Sequence, residues 1–217
     1  VTDAGEFPCA GRPFFIEGPV GRIETLASCP AREAVRASAV ILHPHPLHGG
    51  TMHNKVVSTL ARAFHELGLH TLRFNFRGTG SSEGSFDHGE GESADLMAVL
   101  AWLRARRPQD ELWLAGFSFG GYIALRSAEA AGAARLITVA PSVNLDAAPQ
   151  APRMPWLLIQ GEQDEVVPYA KVREWLNGLS RRPDLLLLPD AGHFFHGRLL
   201  ELRAHIQARL GAHVPRA

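Results

Sequence analysis

Leu112-Trp113-Leu114-Ala115-Gly116-Phe117-Ser118-Phe119-Gly120-Gly121 is an apolar run that ends in a glycine-flanked serine. The run Leu112 to Gly116 reads as a buried strand, and the segment from Gly120 to Ala131 as a helix. Between them, Gly116, Ser118 and Gly120 match G-x-S-x-G, the pattern of a strand that turns sharply into a helix and lifts a serine hydroxyl out of the turn. Such a turn strains the serine backbone and leaves little space beside it, which Gly116 and Gly120, with Gly121 beyond, provide. Ser118 then stands at a helix N-terminus, where free N–H groups and the helix dipole favour negative charge. It is the candidate nucleophile.

The same alternation extends outward in both directions. Arg12–Glu17 and Gly21–Ala27 read as an antiparallel hairpin turned at Gly18-Pro19. Ala39–His43 is a buried strand that ends in a Pro/Gly-rich loop. From Asn54 to Leu67, the residues Val57, Leu60, Ala61, Phe64 and Leu67 share one helical face. Leu69–Phe76 is a strand stopped by Arg77-Gly78-Thr79-Gly80, and Leu96, Val99, Leu100 and Leu103 mark an amphipathic helix. After the serine turn come strands at Leu136–Ala140, Trp156–Gln160 and Leu185–Leu188, with helices at Tyr169–Leu179 and Leu199–Leu210. Strands alternating with crossover helices imply an α/β fold: a mostly parallel eight-stranded sheet covered on both faces, in one domain over residues 1–217. In such sheets the working loops lie beyond the strand C-termini.

A serine hydroxyl needs an imidazole to take its proton and a carboxylate to orient that imidazole. The expected chain order is serine, acid, histidine. Asp164 follows Trp156–Gln160 in Gly161-Glu162-Gln163-Asp164-Glu165, and His193 follows Leu185–Leu188 in Ala191-Gly192-His193-Phe194-Phe195. Glu162, Glu165 and Asp190 are rival acids, and His196 is a rival base. Asp164 is preferred because the acid reaches across from the preceding strand's loop, and His193 because Gly192 opens the backbone beside it. An oxyanion hole requires backbone donors: one is the N–H of Phe119, after the nucleophile. The other belongs to the loop His43-Pro44-His45-Pro46-Leu47-His48-Gly49-Gly50, where the prolines have no N–H. That leaves His45 or Leu47, with Leu47 favoured.

The chain from about residue 38 to 200 resembles the α/β-hydrolase superfamily, and within it the small lidless bacterial hydrolases related to dienelactone hydrolases and carboxylesterases. The likeness rests on the serine turn and its partner loops, on His43–Val57, and on Asn75-Phe76-Arg77-Gly78-Thr79-Gly80-Ser81-Ser82-Glu83-Gly84. It implies a three-layer sandwich, ester hydrolysis without a cofactor, and a small-molecule ester as substrate. A thioesterase or peptidase with the same triad, or a non-catalytic binding module on the same fold, remain alternatives. Many members carry a cap after the sixth strand; here Pro141–Pro155, rich in Ala and Pro, is too short to form one, so the site is expected to be open.

Other features bound the reading. Lys plus Arg equals Asp plus Glu at 22 each, so no net field favours nucleic acid. No apolar stretch is long enough to span a membrane. The N-terminus carries no basic region followed by an apolar one, and a cytoplasmic location is expected. Cys9 and Cys29 could meet across the hairpin, but two cysteines do not make a framework, and no structural disulfide is expected. His43, His45, His48 and His53 lack metal-ligand spacing, so no metal is expected and their role is to shape the loop or line the site mouth. Gly78–Gly84 breaks the dinucleotide pattern at Glu83 and reads as a tight turn fastened by Arg77. Phe117, Phe119, Phe194 and Phe195 either form an acyl pocket or pack the turn against the histidine loop. Trp102, Trp113, Trp156 and Trp175 are expected in the core.

Overall fold

A computed structural model describes residues 6–9, 11–31, 35–143 and 150–215. Eight strands form one sheet: β1 (Phe14–Gly18), β2 (Gly21–Ser28), β3 (Ala37–Leu42), β4 (His70–Phe74), β5 (Glu111–Phe117), β6 (Arg135–Val139), β7 (Trp156–Gly161) and β8 (Asp184–Leu188). Their order across the sheet is β1-β2-β4-β3-β5-β6-β7-β8. β2 pairs antiparallel with β1 and with β4, and every other pairing is parallel. The chain therefore starts as a hairpin at one edge and builds a parallel sheet from there, as expected.

The central strands alternate between two cores because successive side chains point to opposite faces. Val40, Leu42, Leu112 and Leu114 face one core with α2 (Glu90–Arg106), α3 (Phe119–Ser127) and α4 (Tyr169–Asn177). Ala39, Ile41, Trp113 and Ala115 face the other with α1 (Lys55–Glu66) and α5 (Leu199–Leu210). Asn54 starts α1 by accepting the Val56 N–H at 2.9 Å, and Val57, Leu60 and Phe64 then bury the periodic face. Between β6 and β7 the described residues, Ala140–Val143 and 150–155, contain no helix, and residues 144–149 lie outside the described part of the chain. The fold is the three-layer α/β-hydrolase sandwich, with no cap helix among the described residues.

Two expectations change. Cys9 and Cys29 are joined in a disulfide, with Cα atoms 5.2 Å apart. The paired part of the hairpin ends at Phe14 opposite Thr25, and Cys9 and Cys29 lie beyond that open end, one on each arm. Of the four tryptophans, Trp113 and Trp156 are buried, whereas Trp102 and Trp175 are only half-buried on the core's margin. Trp102 is a platform there for Phe7, Phe14 and the Arg106 guanidinium. No helix among the described residues is long and apolar enough to cross a membrane.

Candidate active site

β5 runs into Ser118, and α3 begins one residue later. Ser118 has φ 54° and ψ −118°, a conformation that costs a non-glycine residue roughly 1–3 kcal/mol and is kept only where the surroundings enforce it. They do so on both sides of the residue. The Ser118 N–H donates to Val139 O at 2.9 Å, and its carbonyl accepts from Tyr122 N at 3.0 Å and Ser142 N at 3.1 Å. The flanking glycines are required by close approach. A Cβ on Gly116 would lie 2.2 Å from Gly120 O, and one on Gly120 would lie 2.4 Å from His43 O. The turn is thus wedged directly against the end of β3.

The loops after β7 and β8 bring Asp164 and His193 to this serine. His193 Nε2 is 3.1 Å from Ser118 Oγ, and its Nδ1 is 2.8 Å from Asp164 Oδ2. A carboxylate only accepts, so Nδ1 carries the proton and Nε2 offers its lone pair to the serine hydroxyl. Asp164 is held by more than the imidazole. Its Oδ1 accepts from Val166 N at 2.9 Å and Val167 N at 2.6 Å, and its Oδ2 also accepts from Gln160 Nε2 at 2.9 Å. The His193 N–H donates to Glu165 Oε2 at 3.1 Å, and Phe117 packs against the imidazole with ring centroids 4.9 Å apart. Ser118, Asp164 and His193 are all buried, so the pair interacts with little screening.

None of the rival residues bonds to the His193 ring or to Ser118 Oγ among the described contacts. Asp190 accepts from the Gln163 side chain, and His196 is an exposed turn residue before α5 with its ring beside Phe194. Among the four phenylalanines, Phe117, Phe119 and Phe195 are buried packing residues, and only Phe194 shows its ring to solvent.

Phe119 occupies the first position of α3, where its N–H has no intrahelical acceptor. The loop after β3 is less simple. Leu47 sits in the short turn Pro46–His48, is 68% exposed, and gives its N–H to His45 Nδ1 at 3.2 Å. The His45 N–H has no partner among the described residues, and the His45 ring rests on Phe119 and Phe86. Of the two candidate donors, the His45 amide is therefore the one without a partner among the described residues, and the Leu47 amide is engaged. Against the preference for Leu47, a side chain two residues upstream engages its amide, which periodicity cannot reveal.

The remaining histidines shape this loop. His43 is fully buried; its Nδ1 donates to Pro44 O at 2.7 Å and its Nε2 accepts from Phe76 N at 3.0 Å, pegging the loops after β3 and β4 together. Burial pushes its pKa down to about 4, so it stays neutral. His45 is also lowered, by burial and then by the nearby His48 and His88. No group of three or more His, Cys, Asp or Glu among the described residues is arranged to hold a metal. Arg77 fastens the loop after β4 as expected, donating from its backbone and guanidinium to the buried Asp95 of α2. That hydrogen bond raises the guanidinium pKa.

Two residues at the site were not anticipated. Ser142, after β6, places its hydroxyl 3.5 Å from Ser118 Oγ. No pattern in the sequence marks it. Gln160 is a lone amide in the otherwise apolar run Trp156–Gly161, and that oddity was a readable signal.

Residues 38–154 match the model of a family described as serine aminopeptidase, S33. An α/β serine hydrolase homologue from Coxiella burnetii is 47% identical, with a TM-score of 0.91 over 94% of this chain and 100% of that one. An α/β serine hydrolase without a lid, from Xanthomonas campestris, is 43% identical, with a TM-score of 0.93 over 98% of this chain and 99% of that one. An uncharacterised protein of Rickettsia prowazekii is 37% identical over 194 residues, covering 83% of this chain and 81% of its own length.

Proposed function

The chain belongs to the α/β serine hydrolases, in their small lidless group, and on that premise we propose that it is a carboxylesterase acting on small or short-acyl esters through Ser118, His193 and Asp164. The observation that carries this reading is the imidazole bridge, with Nε2 at 3.1 Å from Ser118 Oγ and Nδ1 at 2.8 Å from Asp164 Oδ2. Heavy-atom separations of that size allow direct proton transfer.

In this mechanism Ser118 Oγ attacks the ester carbonyl carbon while its proton passes to His193 Nε2. Asp164 keeps the imidazole oriented and stabilises the imidazolium. The N–H groups of Phe119 and His45 receive the negative charge that develops on the carbonyl oxygen. Collapse expels the alcohol, which takes the proton from His193. Water, deprotonated by the same nitrogen, then attacks the acyl-enzyme and frees the acid and Ser118.

One observation favours a second reading: the matched family is described as a serine aminopeptidase. An aminopeptidase needs an anion for the substrate's terminal ammonium. Glu165 and Asp190, in the loops that carry Asp164 and His193, already accept the His193 N–H and the Gln163 amide. The ester reading is preferred on that ground. The test is labelling by a fluorophosphonate probe, lost in Ser118→Ala, followed by parallel assays on p-nitrophenyl acetate, an acetyl thioester and an aminoacyl-p-nitroanilide. Turnover of the anilide above the ester would reverse the preference, and failure to label would remove the enzyme reading altogether.

A further inference from the structure

We propose that Gln160 is a positioning residue: its buried amide shares Asp164 Oδ2 with His193 and fixes both the direction and the strength of the Asp164–His193 hydrogen bond, an inference that rests on the serine-hydrolase reading above. Gln160 is the penultimate residue of β7 and is fully buried, so it does not touch substrate. Its Nε2 lies 2.9 Å from Asp164 Oδ2 and 2.9 Å from Val167 O. Both neighbours are acceptors, so the terminal group facing them is the NH₂, and a flipped amide would set one oxygen against two others.

That orientation has a cost. Gln160 Oε1 is buried and has no hydrogen-bond partner among the described residues. An unsatisfied buried carbonyl costs about 1–3 kcal/mol, which an apolar side chain of the same shape would avoid. That cost offsets the stability the amide brings, and what remains distinctive is a pair of donor bonds aimed at the acid's loop.

The donors complete a closed set. Asp164 has room for about four hydrogen bonds, and four reach it: Val166 N and Val167 N on Oδ1, Gln160 and His193 on Oδ2. Gln160 also returns to Val167 O, so the turn that donates to Oδ1 is tied to the side chain that donates to Oδ2. The carboxylate cannot rotate without breaking three bonds besides the one to His193. Because Gln160 draws electron density from the same oxygen, it also moderates how strongly Asp164 holds the imidazole proton.

The experiment compares wild type with Gln160→Met and Gln160→Glu. Readouts are the fluorophosphonate labelling rate at Ser118, kcat and KM for p-nitrophenyl acetate across pH, Tm, and the low-field ¹H NMR signal of the His193 Nδ1 proton. Gln160→Met keeps the volume and removes both the donors and the orphan oxygen. Its Tm is expected to change little, because removing the orphan oxygen offsets the donors lost to Asp164 Oδ2 and Val167 O. Its labelling rate and kcat are expected to fall about 10- to 100-fold as the acid loses its alignment, its KM to change less than about twofold, and its low-field signal to shift. Gln160→Glu supports Asp164 only while protonated, so its kcat falls as pH rises, along a limb absent from wild type. This second variant decides the matter if the methionine protein does not fold. Wild-type kcat, pH profile and proton shift in the variants would reduce Gln160 to packing and overturn the inference. A wild-type protein that is not labelled at Ser118 overturns the hydrolase reading itself, and this inference with it.

Discussion

Asp164 and His193 are 29 residues apart in the chain, yet their side chains meet at 2.8 Å. The parallel pairing of β7 with β8 sets Gly161 opposite Leu188, so both loops leave the sheet at the same edge. Ser118 leaves β5 at that edge too, two strands away. The meeting is a consequence of sheet order and needs no long-range signal in the sequence.

With Ser118, His193 and Asp164 acting as one unit, Ser118→Ala lowers kcat on p-nitrophenyl acetate by about 10⁶-fold and Asp164→Asn by about 10⁴-fold. Combining the two changes adds little further loss. Initial rates with both single variants and the double variant check this, and additive losses would contradict it.

The short segment between β6 and β7 bears on acyl length. Burying a methylene is worth about 0.8 kcal/mol, so an enclosed acyl channel raises kcat/KM about fourfold per added carbon until it is full. With no cap helix in the described residues between β6 and β7, that gain is absent here. For p-nitrophenyl esters from acetyl to decanoyl, kcat/KM is expected to be flat or falling. A steady rise would reveal a buried channel.

His43 makes stability depend on pH. Its pKa is about 4 in the folded protein against 6.5 for the free side chain, so between those values the unfolded chain holds the extra proton. Stability is therefore complete above pH 6.5 and declines as pH falls toward 4, by about 3 kcal/mol from this group. His45, lowered as well, acts in the same direction. Urea titrations at pH 7.5 and 5.0 measure the decline, and His43→Asn is expected to flatten it even though it weakens the fold at both pH values.

The Cys9–Cys29 bond closes a segment with a sequence separation of 20. On the chain-entropy account such a closure stabilises by about 3 kcal/mol. Cys9→Ser/Cys29→Ser is expected to lose stability of that order in denaturant while keeping its kcat, because the bond lies at the hairpin end of the sheet and the serine turn at its centre. Loss of activity in the folded double variant would place the hairpin closer to the chemistry than this reading allows.

Much of this was legible before any coordinates. The apolar runs were short, glycine-bounded and separated by helical periods, so each strand was found within a few residues. The hairpin followed from Gly18-Pro19. The serine turn was legible because steric crowding allows only glycine at 116 and 120, and the distances to Gly120 O and His43 O show why. Less was legible where a residue's role depends on a partner from another loop. The disulfide depends on where the segments beyond the hairpin's open end lie, and the Leu47 amide is taken by a neighbouring imidazole. Trp102 was misjudged because a large apolar ring is equally at home in a core or on its margin.

By itself, the sequence determined the fold class, the strand-to-helix turn at Ser118 and the chain order of Asp164 and His193. Those are properties of local periodicity, backbone sterics and the end at which each loop leaves its strand. Only the tertiary structure decided that His45 engages the Leu47 amide, that Ser142 approaches the Ser118 hydroxyl, and that Gln160 completes the shell around Asp164. The physical reason is the range of the interaction. A hydrogen bond across loops is set by ångström-scale placement of segments far apart in the chain, and no local pattern encodes that placement.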